Sequence, residues 1–302
     1  MESDRNAGLK AAPEVLAESA NAARFAQQPE AVRWLTLDVG ATRVMRPGEE
    51  SKLDELWLGD AFDPRRREEE SVSVYVRAGQ PRALVAELVC GRAAQALQLP
   101  APEVFVIRVM PGTLPKSRMI TADQDALFVG SRNIGGQTFT QLLNQDTDAA
   151  VRLIREWPEL AHVAAFDEWT ANPDRNTGNL IYAAQTLHII DHAESFGGSH
   201  RQLFPLAELT ETAFANRMGE VLSGFKQSNR TKALGNVHSW LAEAAPDLDI
   251  AGLIDQTGIE TWHTTEERAD LLDFLEQRLR ITHRLLCNRL GHPQLSLHMK
   301  PD

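Results

Sequence analysis

The chain has 302 residues, 43% of them hydrophobic, enough for a buried core in one large domain or two lobes. Its formal net charge of −11 argues against nonspecific binding to nucleic acid or to an anionic membrane. Cys90 and Cys287 lack metal-ligand spacing and read as buried reduced thiols, and no apolar run reaches membrane-spanning length, so the expected compartment is the cytoplasm. No Walker-type phosphate loop, dinucleotide fingerprint, zinc-protease helix or internal repeat is present.

Residues 1–29 are rich in Ala, Glu and Asn, with scattered apolar points at Leu9, Val15 and Leu16, and read as a helical arm. Three strand-like segments follow, Val32–Asp38, Leu53–Leu58 and Ser71–Val76, the first by alternation and the last by its β-formers. The charges of Asp63–Glu70 nearly cancel, the pattern of a solvated loop. Arg82–Leu97 predicts a helix, with Leu84, Val85, Leu88, Val89 and Ala93 widening one apolar face until Leu99-Pro-Ala-Pro102 stops it. Val104–Val109 and Ala126–Val129 are strands, and Gly130–Gly136 is a joint.

Beyond the joint the pattern turns helical, at about 137–145, 147–156 and 158–170, then a hairpin, then helices to the end. The longest, Thr264–Leu290, has Glu266 and Glu267 in its first turn and apolar residues at helical spacing, the mark of core support. The expected fold is α+β: an arm (1–29), a small β-rich lobe with one helix (30–130) and a larger helical lobe carrying the hairpin (131–302). A nucleotide would lie between the lobes.

The chemistry concentrates in Asn172-Pro-Asp174-Arg-Asn-Thr-Gly-Asn179 and Ile189-Ile-Asp191-His192. Asn179–Tyr182 and Leu187–Asp191 are short apolar strands, with the turn at Ala183–Thr186. An antiparallel hairpin brings its open ends together, so Asn179 and Asp191 come out side by side, with Asp174 in the loop that feeds them. An amide and a carboxylate can hold a divalent metal on ATP phosphates while a second carboxylate orients a hydroxyl, the division of labour in protein-kinase-type sites. Asp and Asn are also ordinary turn residues. An unpaired charge at the end of an apolar strand, as at Asp191, would be costly to bury without a task.

These residues carry a resemblance to a known family. Phe166–Ile181, Ile190-Asp-His192 and the helix Leu84–Pro102 together resemble the HipA-like kinases, in particular their short, single-unit branch, and Leu253–Leu286 with Trp262 is similar too. The resemblance spans residues 30–290 and is sharpest at the helix and the hairpin. It implies a two-lobed protein-kinase-like fold, ATP and Mg2+ as cofactors, phosphorylation of Ser or Thr on a protein substrate, and an antitoxin-like partner. By position it implies Asp174 as the catalytic base, Asn179 and Asp191 as metal ligands, and Glu87 as the helix acid that pairs with the basic residue of the third strand. Phe128, Val129 and Arg132 would line the adenine end of the cleft.

The chain departs from the family where Ser71–Arg77 ends in arginine, not the usual lysine. Arg77 keeps the charge and can grip phosphate with two prongs, but it is bulkier and planar. It could instead merely end an exposed strand edge. A phosphate loop is represented only by Gly40-Ala-Thr42 and Arg46-Pro-Gly48. A catalytically weak, kinase-shaped binding protein and a small-molecule kinase are therefore the alternative expectations. His192 is expected as a structural hydrogen-bonder. Arg175 is expected either on a phosphate or as a loop anchor. Ser195 to Ser199, around Phe196-Gly-Gly198, could form an activation-type segment.

Overall fold

The computed structural model describes residues 31–44, 54–66, 70–120, 123–198 and 205–292; the arm expected at 1–29, Arg46-Pro-Gly48 and Ser199 lie outside them. A six-stranded sheet holds β1 (Arg33–Leu37), β2 (Thr42–Val44), β3 (Glu55–Phe62), β4 (Val72–Ala78), β5 (Val104–Val109) and β6 (Ala126–Arg132), in the order β1-β5-β6-β4-β3-β2. Strand β1 pairs parallel with β5 and, through Thr36 and Leu37, antiparallel with β3, so the sheet curls back on itself. Strand β2 was not expected. It is three residues long, too short to show alternation.

Helix α1 (Pro81–Ala96) is buried from Ala83 to Ala94 and packs on β5 and β6. Gly91 sets how close it comes: a Cβ there would stand 2.6 Å from Val104 Cγ1. In β4, Val72, Val74, Val76 and Ala78 face the core, while Ser73, Tyr75 and Arg77 alternate to the other face. Cross-strand register then places Val44, Leu56, Arg77 and Val129 in one row across β2, β3, β4 and β6.

The expected joint begins three residues late, because Gly130–Arg132 continue β6 against β4 and β5. After it come β7 (Gln137–Thr138), α2 (Phe139–Gln145), α3 (Thr147–Glu156) and α4 (Leu160–Trp169). The first two residues expected as helix are strand instead, paired with the hairpin β8 (Leu180–Ala183) and β9 (Thr186–Ile189). The sequence of Gln137-Thr138 fits either state, and the long-range pairing decides it. Thr138 then caps α2 in a reciprocal box with Gln141.

Helices α5 (Arg217–Ser223), α6 (Gln227–Ala244), α7 (Ile250–Asp255) and α8 (Thr265–Arg289) complete the described chain, with α4 packed against α5, α6 and α8. Helix α8 follows Thr264 with the acidic first turn its sequence implied, and Thr264 and Glu267 cap it in a reciprocal box. Buried Arg278 of α8 donates to the carbonyls of Glu168 and Trp169, at the end of α4, and to those of Leu209, Thr210 and Thr212. It thereby satisfies acceptors that a helix terminus leaves open. Cys90 and Cys287 are buried and free. Among the described residues no helix is long and apolar enough to cross a membrane.

Candidate functional site

The loop that leaves α4 carries Asp174. Asn172, fully buried, accepts from the Asp174 backbone N–H through Oδ1 at 3.0 Å. Asn179 Nδ2 donates to the Asp174 carbonyl at 2.7 Å and to its Oδ2 at 3.4 Å, and Asn176 Nδ2 donates to Oδ1 at 3.2 Å. The Asp174 carboxylate is thus oriented by two amides while the residue remains exposed. Ala184 and Gln185, at φ 47° and 66°, form the two-residue turn of the hairpin. Its register pairs Leu180 with Ile189, and the Ile190 N–H donates to the Asn179 carbonyl at 3.1 Å. Asp174, Asn179 and Asp191 therefore converge, as the spacing implied.

Arg175 holds the two loops together from beneath. It is fully buried, forms an ion pair with buried Asp167 of α4 at 3.1 Å, and donates to the Ile190 carbonyl at 2.5 Å and to His192 Nδ1 at 3.1 Å. Of the two roles open to it, Arg175 takes that of loop anchor. A guanidinium can only donate, so His192 Nδ1 accepts and the ring is neutral. Burial and the Arg175 charge hold the imidazole well below its usual range. Burial pushes the Asp167 carboxyl up to about 6 against the pull of Arg175.

Arg77 lies in the middle of a sheet, between β3 and β6, and not at an exposed edge. Its NH2 meets Asp191 Oδ1 at 2.6 Å, its NH1 meets Asp54 Oδ2 at 3.3 Å, and its Nε lies 3.9 Å from Glu87 Oε2. Burial draws the guanidinium pKa down, and the charges of Asp191, Glu87 and Asp54 outweigh it and raise it. Glu87 also accepts from the His192 backbone N–H at 2.7 Å, which ties α1 to the strand end. Burial raises its carboxyl despite Arg77, and Asp191 adds to the effect. Asp191 itself has φ 58°, a left-handed conformation that an aspartate tolerates better than most residues and that often marks functional positions.

Arg77, Glu87 and Asp191 line a cleft of about 350 Å³, within the size range of small-molecule sites; Asp174 and Asn179 lie next to it without lining it. Its walls are the row Val44, Leu56, Arg77 and Val129 on the sheet side, and Ile181, Ile190 and Asp191 on the hairpin side. Glu87, Val129 and Arg132 line it as expected. Phe128 does not. It neighbours Val129 on β6, so its side chain projects to the opposite face, where it is 4% exposed in the core. Arg132 is engaged by Glu103 through Nε and NH2, at 3.1 and 2.5 Å. Gly40 is not among the lining residues.

Two residues of the site, Asp54 and Asp167, were not singled out from sequence. Asp54 gave no local signal, because its partner Arg77 lies 23 positions away. Asp167 was legible in principle, as an acid inside the apolar run Leu160–Trp169.

The donor set suits a hard cation shared with phosphate. Asp191 offers a carboxylate and Asn179 an amide oxygen, and Mg2+ is commonly held by one or two protein oxygens plus substrate phosphates. No group of three His, Cys, Asp or Glu side chains among the described residues could hold a metal unaided. A cation here would complete its shell with phosphate oxygens.

The sequence profile of the HipA-like kinases matches residues 62–240, more than half of the chain. The chain belongs to the HipA-like kinase family, and so to the kinase-type phosphotransferases. No curated protein matches it. Among solved structures, it is similar to the Helicobacter pylori proinflammatory kinase CtkA at 12% identity and a TM-score of 0.46, over 81% of this chain and 95% of that one.

Proposed function

We propose that this protein transfers the γ-phosphoryl group of ATP, with Mg2+, to a serine or threonine hydroxyl on another protein. The observation that carries this is the convergence of Asp174, Asn179 and Asp191 beside a cleft that also holds Arg77 and Glu87. In this reading the curled sheet with α1 is one lobe and the helices with the hairpin are the other, and the nucleotide lies between them.

Each residue then has a task. A divalent cation, when bound, would supply neutralisation of the phosphate charge. Asp191 and the amide oxygen of Asn179 would hold it. Arg77 supplies a fixed positive charge at the sheet side of the cleft, where triphosphate charge must be balanced. Asp174 accepts a hydrogen bond from the acceptor hydroxyl and takes its proton as the new P–O bond forms. Its orientation by Asn176 and Asn179 fixes the direction of attack. Its exposure supports an acceptor carried on a macromolecule over a small molecule enclosed in the cleft.

Transfer of labelled phosphate from ATP to a protein acceptor tests this. Wild type is expected to transfer label only with Mg2+. Asp174→Ala is expected to bind ATP normally and lose turnover by about 100-fold or more. Normal transfer by the variant refutes the assignment. One observation favours a second reading, a kinase-shaped binding protein of little activity: the direct 2.6 Å contact of Arg77 with Asp191, a proposed cation ligand. Saturable turnover by wild type ends that alternative.

A further inference from the structure

The arginine at position 77 poses a problem that lysine does not. A guanidinium and a carboxylate favour a two-pronged grip, with two parallel N–H···O bonds. Such a grip on Asp191 would cover both oxygens of the residue proposed to hold the cation. The structure shows a different arrangement, in which NH2 alone meets Asp191, at 2.6 Å, while NH1 is drawn 3.3 Å from Asp54 Oδ2.

We infer that Asp54 is the positioning residue that makes an arginine workable here: it takes one prong of the fork, so that Arg77 touches Asp191 through one nitrogen and keeps its charge facing the cleft. The inference rests on the phosphotransfer reading above and deepens it at the same site.

Asp54 is built into its place. It immediately precedes β3, and its Oδ1 accepts from the Gln80 N–H at 3.2 Å, at the start of α1. The space it fills exists because residue 79 is glycine: a Cβ there would lie 2.4 Å from Asp54 Oδ1. Asp54 and Arg77 are 20% and 19% exposed at their side chains, so their attraction is only partly screened by water. Arg82 of α1 also feels the Asp54 charge, and its NH2 donates to the Ser195 carbonyl at 2.9 Å. The carboxylate thus sits between the arginine of the cleft and the arginine that holds the chain just beyond Asp191.

The test is a four-way cycle on the full chain: wild type, Asp54→Asn, Arg77→Lys and the double variant. Each is titrated calorimetrically with ATP over a range of MgCl2 concentrations, and melted without ligand to confirm folding. Asparagine preserves the volume and the acceptor for Gln80 but removes the charge that draws NH1 aside. In the arginine background it is expected to raise the Kd for ATP with Mg2+ about ten-fold and to demand more Mg2+ for half-saturation. Lysine has no second prong, so Asp54→Asn is expected to change the Kd of Arg77→Lys less than two-fold, and the double variant is expected to bind better than Asp54→Asn alone. A merely structural Asp54 would weaken both backgrounds equally. Equal losses, or an Asp54→Asn protein that binds as wild type does, overturn the inference while leaving the phosphotransfer reading intact. Absence of any ATP binding by wild type overturns that reading, and this inference with it. Asp54→Ala, which also removes the Gln80 acceptor, provides a second variant expected to show the same dependence on residue 77.

Discussion

Arg77 divides one positive charge among Asp191, Asp54 and Glu87, and the acid left least neutralised is the most buried of the three. Glu87 is 7% exposed and its carboxyl is raised from the ordinary 4.5. A carboxyl whose folded value exceeds its unfolded value binds more protons folded than unfolded between the two, so its contribution to stability falls as pH rises through that window. The advantage of wild type over Glu87→Gln, followed by urea unfolding from pH 4 to 8, is therefore expected to shrink from about pH 4.5 toward neutrality. A gap that widens with pH would show Glu87 to be a net stabilised anion instead. His192 acts with the opposite sign, since its depressed pKa costs stability as pH falls below 6.5, and it is common to both proteins and cancels in the difference. Of these side chains, Asp174, Asn179 and Asp191 were legible in the sequence because fixed spacing on a hairpin implies their geometry, whereas Glu87 was expected only through the family resemblance. Asp54 was not, because its importance lies in a partner that only folding supplies; Asp167 stood out only as an acid inside an apolar helix, and its partner Arg175 came from the fold.

At the scale of elements, the site depends on three junctions that hold α1, the hairpin and α4 in register. Gly91 lets α1 approach β5, which brings Glu87 within reach of the His192 N–H. Arg278 ties the end of α4 to α8, just before the loop that carries Asp174. Gly136 lies between β6 and β7 at φ 86°, and a Cβ there would stand 2.3 Å from the Tyr182 carbonyl oxygen on β8. Gly136→Ala thus adds a left-handed backbone penalty to a clash with the hairpin. It is expected to cost about 2 kcal/mol or more, read as a lower urea midpoint at unchanged m-value. An unaltered midpoint would show that the strand pairing there yields without loss. The element types were legible at almost every described segment, since apolar spacing dictates them. Strands β2 and β7 were missed because at three and two residues they exist only by virtue of their partners.

Across the whole molecule, the cleft is a product of two separately patterned regions. The sheet contributes one cross-strand row, and the hairpin contributes Ile181, Ile190 and Asp191. A ligand that binds there stabilises the fold by mass action, by about 2.7 kcal/mol at one hundred times its Kd. ATP with Mg2+ is expected to raise the melting temperature by several degrees, and Asp191→Ala to abolish the part of the shift that depends on Mg2+. An undiminished Mg2+-dependent shift in Asp191→Ala would remove that residue from the cation site.

The sequence by itself determined the order of sheet and helices, the hairpin with its three polar residues, and membership of a kinase-like class, because all of these follow from local periodicity and short spacing. Only the tertiary structure decided that Arg77 contacts Asp191 and Asp54, that Arg175 anchors loops and that Phe128 turns into the core. Those outcomes depend on contacts between residues up to 114 positions apart, as in the Arg77–Asp191 bond. No local pattern encodes such contacts; the packing of the sheet against the hairpin does.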